Sequence, residues 1–348
     1  METFSADRAA ELAVVERSGF VESRHLGAAA VVSPEGELVR SLGDSAAAIY
    51  PRSALKPFQA IASLKAGAPL RGAQVAIAAG SHEGSFEHMK VVAGMLQAAG
   101  LTPEHLQCPA AYPKDDAARA YLVSHEKGRQ RIAFNCSGKH AAFLWACAHN
   151  DWDTETYLEP DHPLQRLVLE IVEEATGERV QHVGVDGCGA PVPTISLNGL
   201  AKAYSTLGAG IRNISADART ATMATAMNDY PEMVQNHGRP NTLVMEELDV
   251  VAKFGAEGIL AIGTREGAGV AVKALDGSPR AVTMVALSLL AQEGYVDPQI
   301  AEDLISRTTP PINGADVRVG EIRLGGAFNP EATVEDDPGV ADASEGLE

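Results

Sequence analysis

The chain has 348 residues, 45% of them hydrophobic, and a formal charge of −18 at pH 7. That size allows one large domain or two intimate subdomains, and the negative balance argues against nucleic acid or an anionic membrane surface as a partner. No apolar run approaches the ~20 residues of a membrane-spanning helix. Residues 1–8 lack a secretory pattern, and four cysteines in so long a chain predict free thiols, so the expected location is cytoplasmic.

In chain order, residues 1–18 read as a flexible lead-in. Two β-rich runs, 26–32 and 37–42, flank Ser33-Pro34-Glu35-Gly36 and predict a hairpin. Leu55, Phe58, Ile61 and Leu64 then recur at helical spacing behind Ser53, with Pro57 tolerated in the first turn. A short apolar run at 74–79 ends in the turn-rich Gly80-Ser81-His82-Glu83-Gly84, and Ser85 caps a helix that Gly100 stops. Helices are predicted over 115–126, 139–149, 163–176, 196–207, 217–228 and 242–253. The intervals 108–113, 183–192 and 230–241, rich in Gly, Pro or Asn, read as loops. Strands return at 258–263, 269–274 and 317–324, with helices at 281–292 and 298–306. Residues 331–348 hold seven acidic and no basic residues, which predicts an acidic disordered tail from about 330.

Strands at both ends and helices between predict an α+β fold: one antiparallel sheet from the two chain ends and a helical subdomain over about 85–242, within a single domain over 19–329. A cleft between the two layers is the expected ligand site.

The chemistry clusters in a few stretches. Ser53 and Lys56, three apart at a helix start, share a face; a desolvated neutral lysine can take a serine proton, and the helix N-terminus can stabilise an oxyanion. Alone the pair is a weak signal, and Ser124-x-x-Lys127 reads as a solvated helix end. The order Ser53-x-x-Lys56, Ser81-His82-Glu83, Lys253-Phe254-Gly255 parallels the S-x-x-K, S-x-N and K-T-G elements of the serine β-lactamase and penicillin-binding superfold, with Glu83 in place of Asn and Phe254 in place of Ser or Thr. A second constellation joins Asn135-Cys136-Ser137-Gly138-Lys139-His140 to Asp186-Gly187-Cys188-Gly189. Two thiols and a nitrogen suit Zn²⁺, although buried cysteine acting as a small apolar group is the commoner case.

Taken together, Arg52-Ser-x-x-Lys-Pro-Phe-Gln, Ser81-His-x-Gly, Asn135-Cys-Ser-Gly-Lys-His, Asp186-Gly-Cys-Gly-x-Pro and Lys253-x-Gly-Ala-Glu-Gly resemble the L-asparaginase II family of the rhizobial, thermolabile type, over about residues 20–325. The resemblance implies a fold similar to serine β-lactamases and glutaminases, and hydrolysis of L-asparagine to L-aspartate and ammonia. It implies two Ser-Lys tandems, Ser53–Lys56 and Ser81–Lys253. It also implies a zinc ion on Cys136, Lys139 and Cys188, with Asp186 beside it. Two departures stand out: Asn241 replaces a frequent family cysteine, and Ser85 stands where Glu is expected.

On this reading Ser53 is the nucleophile, with Ser81 also chemically competent. Arg52 is the nearest cation for the substrate α-carboxylate, and Asp186 joins it in the substrate-binding set. Glutaminase or another Ser-Lys acyl hydrolase is the enzyme alternative, and a structural zinc protein with a decayed site the non-enzyme one. The expected assembly is a homodimer.

Overall fold

The computed structural model describes residues 2–328. Among the described residues ten strands are formed: β1 (Ala10–Arg17), β2 (Phe20–Val32), β3 (Leu38–Leu42), β4 (Val183–Val185), β5 (Pro191–Pro193), β6 (Val250–Gly255), β7 (Ile259–Thr264), β8 (Gly269–Ala274), β9 (Ile312–Gly314) and β10 (Val317–Leu324). Eight of them make one antiparallel sheet in the order β6-β7-β8-β2-β1-β10-β9, with β3 paired to β2. The long β2 serves three neighbours: its first half pairs with β1 and its second with β3 along one edge, while β8 takes the other. The α+β class and the sheet from both chain ends are as the sequence predicts.

The helices are α1 (Lys56–Lys65), α2 (Ala73–Ala78), α3 (Phe86–Ala98), α4 (Asp116–Ser124), α5 (Ser137–His149), α6 (Pro163–Thr176), α7 (Leu197–Gly208), α8 (Ala218–Asp229), α9 (Pro231–Val234), α10 (Pro240–Glu247), α11 (Val282–Gln292) and α12 (Pro298–Thr308). Both faces of β7 and β8 are covered, by α7 on one side and α11 on the other, so these strands are buried end to end. Such strands read as continuous apolar runs rather than alternating ones. Helix α7 sits unusually close: a Cβ at Gly263 would lie 1.8 Å from the Tyr204 carbonyl oxygen, so only glycine fits there. Among the described residues no helix is long and apolar enough to cross a membrane.

Four expectations are corrected. Residues 10–17 are not a flexible lead-in but strand β1, inside the sheet between β2 and β10, with Leu12–Val15 buried. Its apolar core of four residues is flanked by charges and is covered on both faces, so it shows no alternation to read. The helix predicted over 242–253 stops at Glu247, and the β-branched pair Val250-Val251 begins β6 instead. Part of the loop predicted at 183–192 is a β4–β5 hairpin. Helix α7, assigned by sequence to the helical subdomain, packs on the sheet. The predicted tail from about 330 lies outside the described residues.

Candidate active site

The organising turn, Arg52–Leu55, is a short 3₁₀ helix running directly into α1, with Pro57 in the first turn where no intrahelical N–H bond is lost. Three contacts seat it. Buried Tyr204 of α7 donates its hydroxyl to the Ala54 carbonyl at 2.7 Å. Gly255 of β6 passes so close that a Cβ there would lie 2.5 Å from the Pro51 carbonyl oxygen. Arg52, with φ of +52°, donates Nε to Asp186 Oδ1 at 2.6 Å. A non-glycine residue in the left-handed region costs about 1–3 kcal/mol, and the ion pair to Asp186 holds Arg52 there.

Lys56 is buried and points away from its own turn. Its Nζ donates to Ser81 Oγ at 3.0 Å, to the Asn135 carbonyl at 3.2 Å and to the Gly80 carbonyl. Those three acceptors match the three N–H groups of an ammonium. From the other side, Lys253 Nζ lies 2.9 Å from Ser81 Oγ and donates to the Phe254 carbonyl at 2.7 Å. Burial, reinforced by neighbouring Lys56, pushes Lys253 well below the usual lysine range. Ser81 Oγ thus sits between the two lysine nitrogens, within hydrogen-bond distance of both. Ser53 is half-buried, and among the described residues its hydroxyl makes no hydrogen bond. The two tandems read from sequence are thus one network: Lys56 bonds Ser81 rather than Ser53.

The loop carrying Ser81 is braced by a neutral histidine. His82 Nδ1 accepts the Gly84 N–H at 3.1 Å, which places its proton on Nε2, 3.0 Å from Ser137 Oγ. Ser137 in turn donates to the Ile132 carbonyl at 2.8 Å. Burial holds His82 well below the usual imidazole range, helped by the charges of His88 and Lys56.

The second constellation also comes together. Cys136 is the N-cap of α5, Lys139 lies in that helix's first turn, and Cys188 lies in the β4–β5 turn. Lys139 Nζ is 3.0 Å from Cys188 Sγ, and all three residues are buried. The facing Cys136 thiol and Lys139 draw Cys188 far below the usual thiol range despite its burial, while Cys136 is pushed well above it. Tyr157 accepts the Gln107 N–H and donates to His140 Nδ1 at 2.7 Å, leaving the imidazole proton on Nε2. That nitrogen has no hydrogen-bond partner among the described residues.

Among the described residues no three His, Cys, Asp or Glu side chains form a metal set. A Zn²⁺ here would rest on two sulfurs and the lysine amine, which this donor set fits once Lys139 gives up its proton. Cys108 and Cys147 belong to the apolar core, and burial pushes both up to about 12.

The two clusters are joined twice. Asn135 gives its carbonyl to Lys56 next to Cys136, and Arg52 pairs with Asp186, two residues before Cys188. Of the site residues singled out in the sequence, Arg52, Lys56, Ser81, Cys136, Lys139, Asp186, Cys188 and Lys253 come together here, while Ser53 lies on the Arg52–Leu55 turn, its hydroxyl making no hydrogen bond among the described residues. Sequence reasoning assigned no role to Tyr204 or His140, whose parts depend on residues 150 and 17 positions away.

No curated protein matches the chain. Among solved structures it is similar to a β-lactamase from Mycobacterium bovis, at 17% identity over 76% of this chain and 94% of that one, with a TM-score of 0.41. It is also similar to Mglu in its native form, at 14% identity, 78% and 65% coverage and a TM-score of 0.42. A third is a Bacillus glutaminase, at 12% identity, 77% and 91% coverage and a TM-score of 0.36. The family model for L-asparaginase II matches residues 13–324, nearly the whole described chain with both clusters inside it, and the chain belongs to that family of amide hydrolases.

Proposed function

We propose that the chain hydrolyses the side-chain amide of L-asparagine to L-aspartate and ammonia, with Ser53 as nucleophile and Lys56–Ser81–Lys253 as its proton relay. The observation that supports this reading is the Ser81 hydroxyl seated between two buried lysines, one of them shifted toward the neutral amine, beside a half-buried serine at a helix start. Lys56 passes a proton through Ser81 to Lys253, and so becomes able to take the Ser53 proton as its oxygen bonds to the amide carbon. N–H groups at the start of α1 stabilise the oxyanion. Collapse breaks the carbon–nitrogen bond, and the relay returns a proton to the departing ammonia. Water then attacks the ester by the same route and releases aspartate.

Arg52 uses Nε on Asp186, which leaves the Nη edge of its guanidinium for the substrate α-carboxylate. Cys136, Lys139 and Cys188 would hold Zn²⁺, which supplies a Lewis acid close to the substrate when bound. The test is ammonia release from asparagine, from glutamine and hydrolysis of a chromogenic β-lactam, by parent and Ser53→Ala. Asparagine turnover lost in Ser53→Ala supports the reading. Preference for glutamine, a discrimination of only about 1–3 kcal/mol for one methylene, would reassign the substrate, and β-lactam hydrolysis without amidase activity would reject it.

A further inference from the structure

We infer that Glu83 and Arg239 form a clamp that positions Ser81 between the two lysines, a role that rests on the relay reading above. The Glu83 carboxylate is engaged by protein groups. Arg239 reaches it at two points, donating Nη2 to Oε2 at 2.9 Å and holding Nε in ion-pair contact with Oε1 at 2.9 Å. Asn236 adds Nδ2 to the same Oε2 at 3.1 Å.

The backbone of the loop is tied to the same segments. Ser81 and Glu83 donate their N–H groups to the Val234 and Gln235 carbonyls at 2.8 and 3.2 Å, and the Glu83 carbonyl accepts from Lys114 and Asp115 at 2.8 and 3.0 Å. Those bonds attach the loop on two sides, and the carboxylate fork closes a third. A planar guanidinium gripping a carboxylate at two points fixes orientation as well as distance. Since Glu83 is two residues from Ser81, its orientation sets where the Ser81 oxygen lies relative to both lysine nitrogens. Neither clamp residue touches the relay, so both are positioning residues.

Arg239 has a half-exposed side chain, so its truncation leaves a foldable protein. We expect Arg239→Ala and Glu83→Gln each to lower kcat for asparagine by about 10- to 100-fold with KM within about threefold, the signature of a misplaced reacting group. The double variant should be no worse than the more impaired single one, because both break one interaction. Arg239→Lys should stay impaired, since a point charge cannot make the fork. Folding is confirmed by circular dichroism. A folded Arg239→Ala with kcat within about twofold of the parent, or a raised KM with unchanged kcat, overturns the clamp. Ser81→Ala run alongside separates the two claims. Inactive Ser81→Ala with fully active Arg239→Ala rejects the clamp alone, whereas fully active Ser81→Ala rejects the relay itself.

Discussion

Lys253 and Lys139 are both fully enclosed, yet their surroundings drive them in opposite directions. Around Lys253 there is a hydroxyl, a carbonyl and a second lysine, so burial dominates and the amine is pushed well below its ordinary 10.5. Burial pulls on Lys139 too, but the Cys188 and Cys136 sulfurs, with Asp186 behind them, outweigh it and leave Lys139 raised. The same residue type at the same depth is thus shifted toward the neutral amine in one cluster and toward the cation in the other. What decides is the charge of its neighbours. The first environment suits proton transfer, and the second suits an anionic sulfur or, once the lysine proton is displaced, a metal.

The sharpest way to break this contrast is to remove the lysine whose amine is displaced toward neutrality. Lys253→Met, Lys56→Met and Ser53→Ala should each lower asparagine turnover by about 10³-fold or more while leaving the fold intact, and double variants should be far from additive because the groups act as a unit. Near-parental rates in a folded Lys253→Met would show that its displaced amine takes no part in the chemistry.

The other cluster is tested by its metal content. Protein incubated with zinc at alkaline pH and desalted should retain up to one zinc per chain, measured by elemental analysis, and Cys188→Ala should retain none. Affinity should fall as pH drops, because the Cys136 thiol and the Lys139 ammonium must both lose protons to bind. Equal zinc content in parent and Cys188→Ala would place any metal elsewhere.

A smaller effect appears in stability. The unfolded chain holds Lys253 protonated up to its ordinary 10.5, whereas the folded chain releases that proton at lower pH. Burial of this lysine therefore costs stability at neutral pH, and the cost disappears as pH rises toward 10.5. Lys253→Met should then be inactive yet melt higher than the parent at pH 7, by roughly 2–4 °C for each kcal/mol released. The gap should narrow in alkaline buffer. A variant that melts lower at every pH would mean that the hydrogen bonds to Ser81 and Phe254 outweigh the burial cost.

The least effect belongs to His82. Its folded form resists protonation well below the ordinary 6.5, so the stability it contributes is complete above that value and is lost as pH falls toward its lowered one. In urea titrations His82→Gln should flatten that acid arm, by at most about 1.4 kcal/mol per pH unit. An unchanged acid arm would assign it to other groups, with His88 and His140, also buried and lowered, the first to examine.

Much of this was legible in the chain itself. Composition, the hairpin at 26–42, the helix behind Ser53 and the strands near 260 and 270 follow from periodicity and turn chemistry, which act over a few residues. The motif order brought every catalytic and thiol candidate into view, because short spacings at helix starts and glycine turns constrain where side chains can point. Strand β1 and the end of α10 escaped, since a doubly covered strand and a short apolar stretch carry no period of their own.

The pairing of the two tandems was decided only by the fold. Residues 53 and 56 are neighbours in sequence, but Lys56 turns toward Ser81, 25 positions on, and meets Lys253 from a strand 172 positions beyond that serine. Which lysine is shifted toward the amine and which toward the cation depends on burial and on sulfurs supplied by distant segments. The chain determined which groups would be present. Long-range packing decided their dielectric and their partners, and therefore their chemistry.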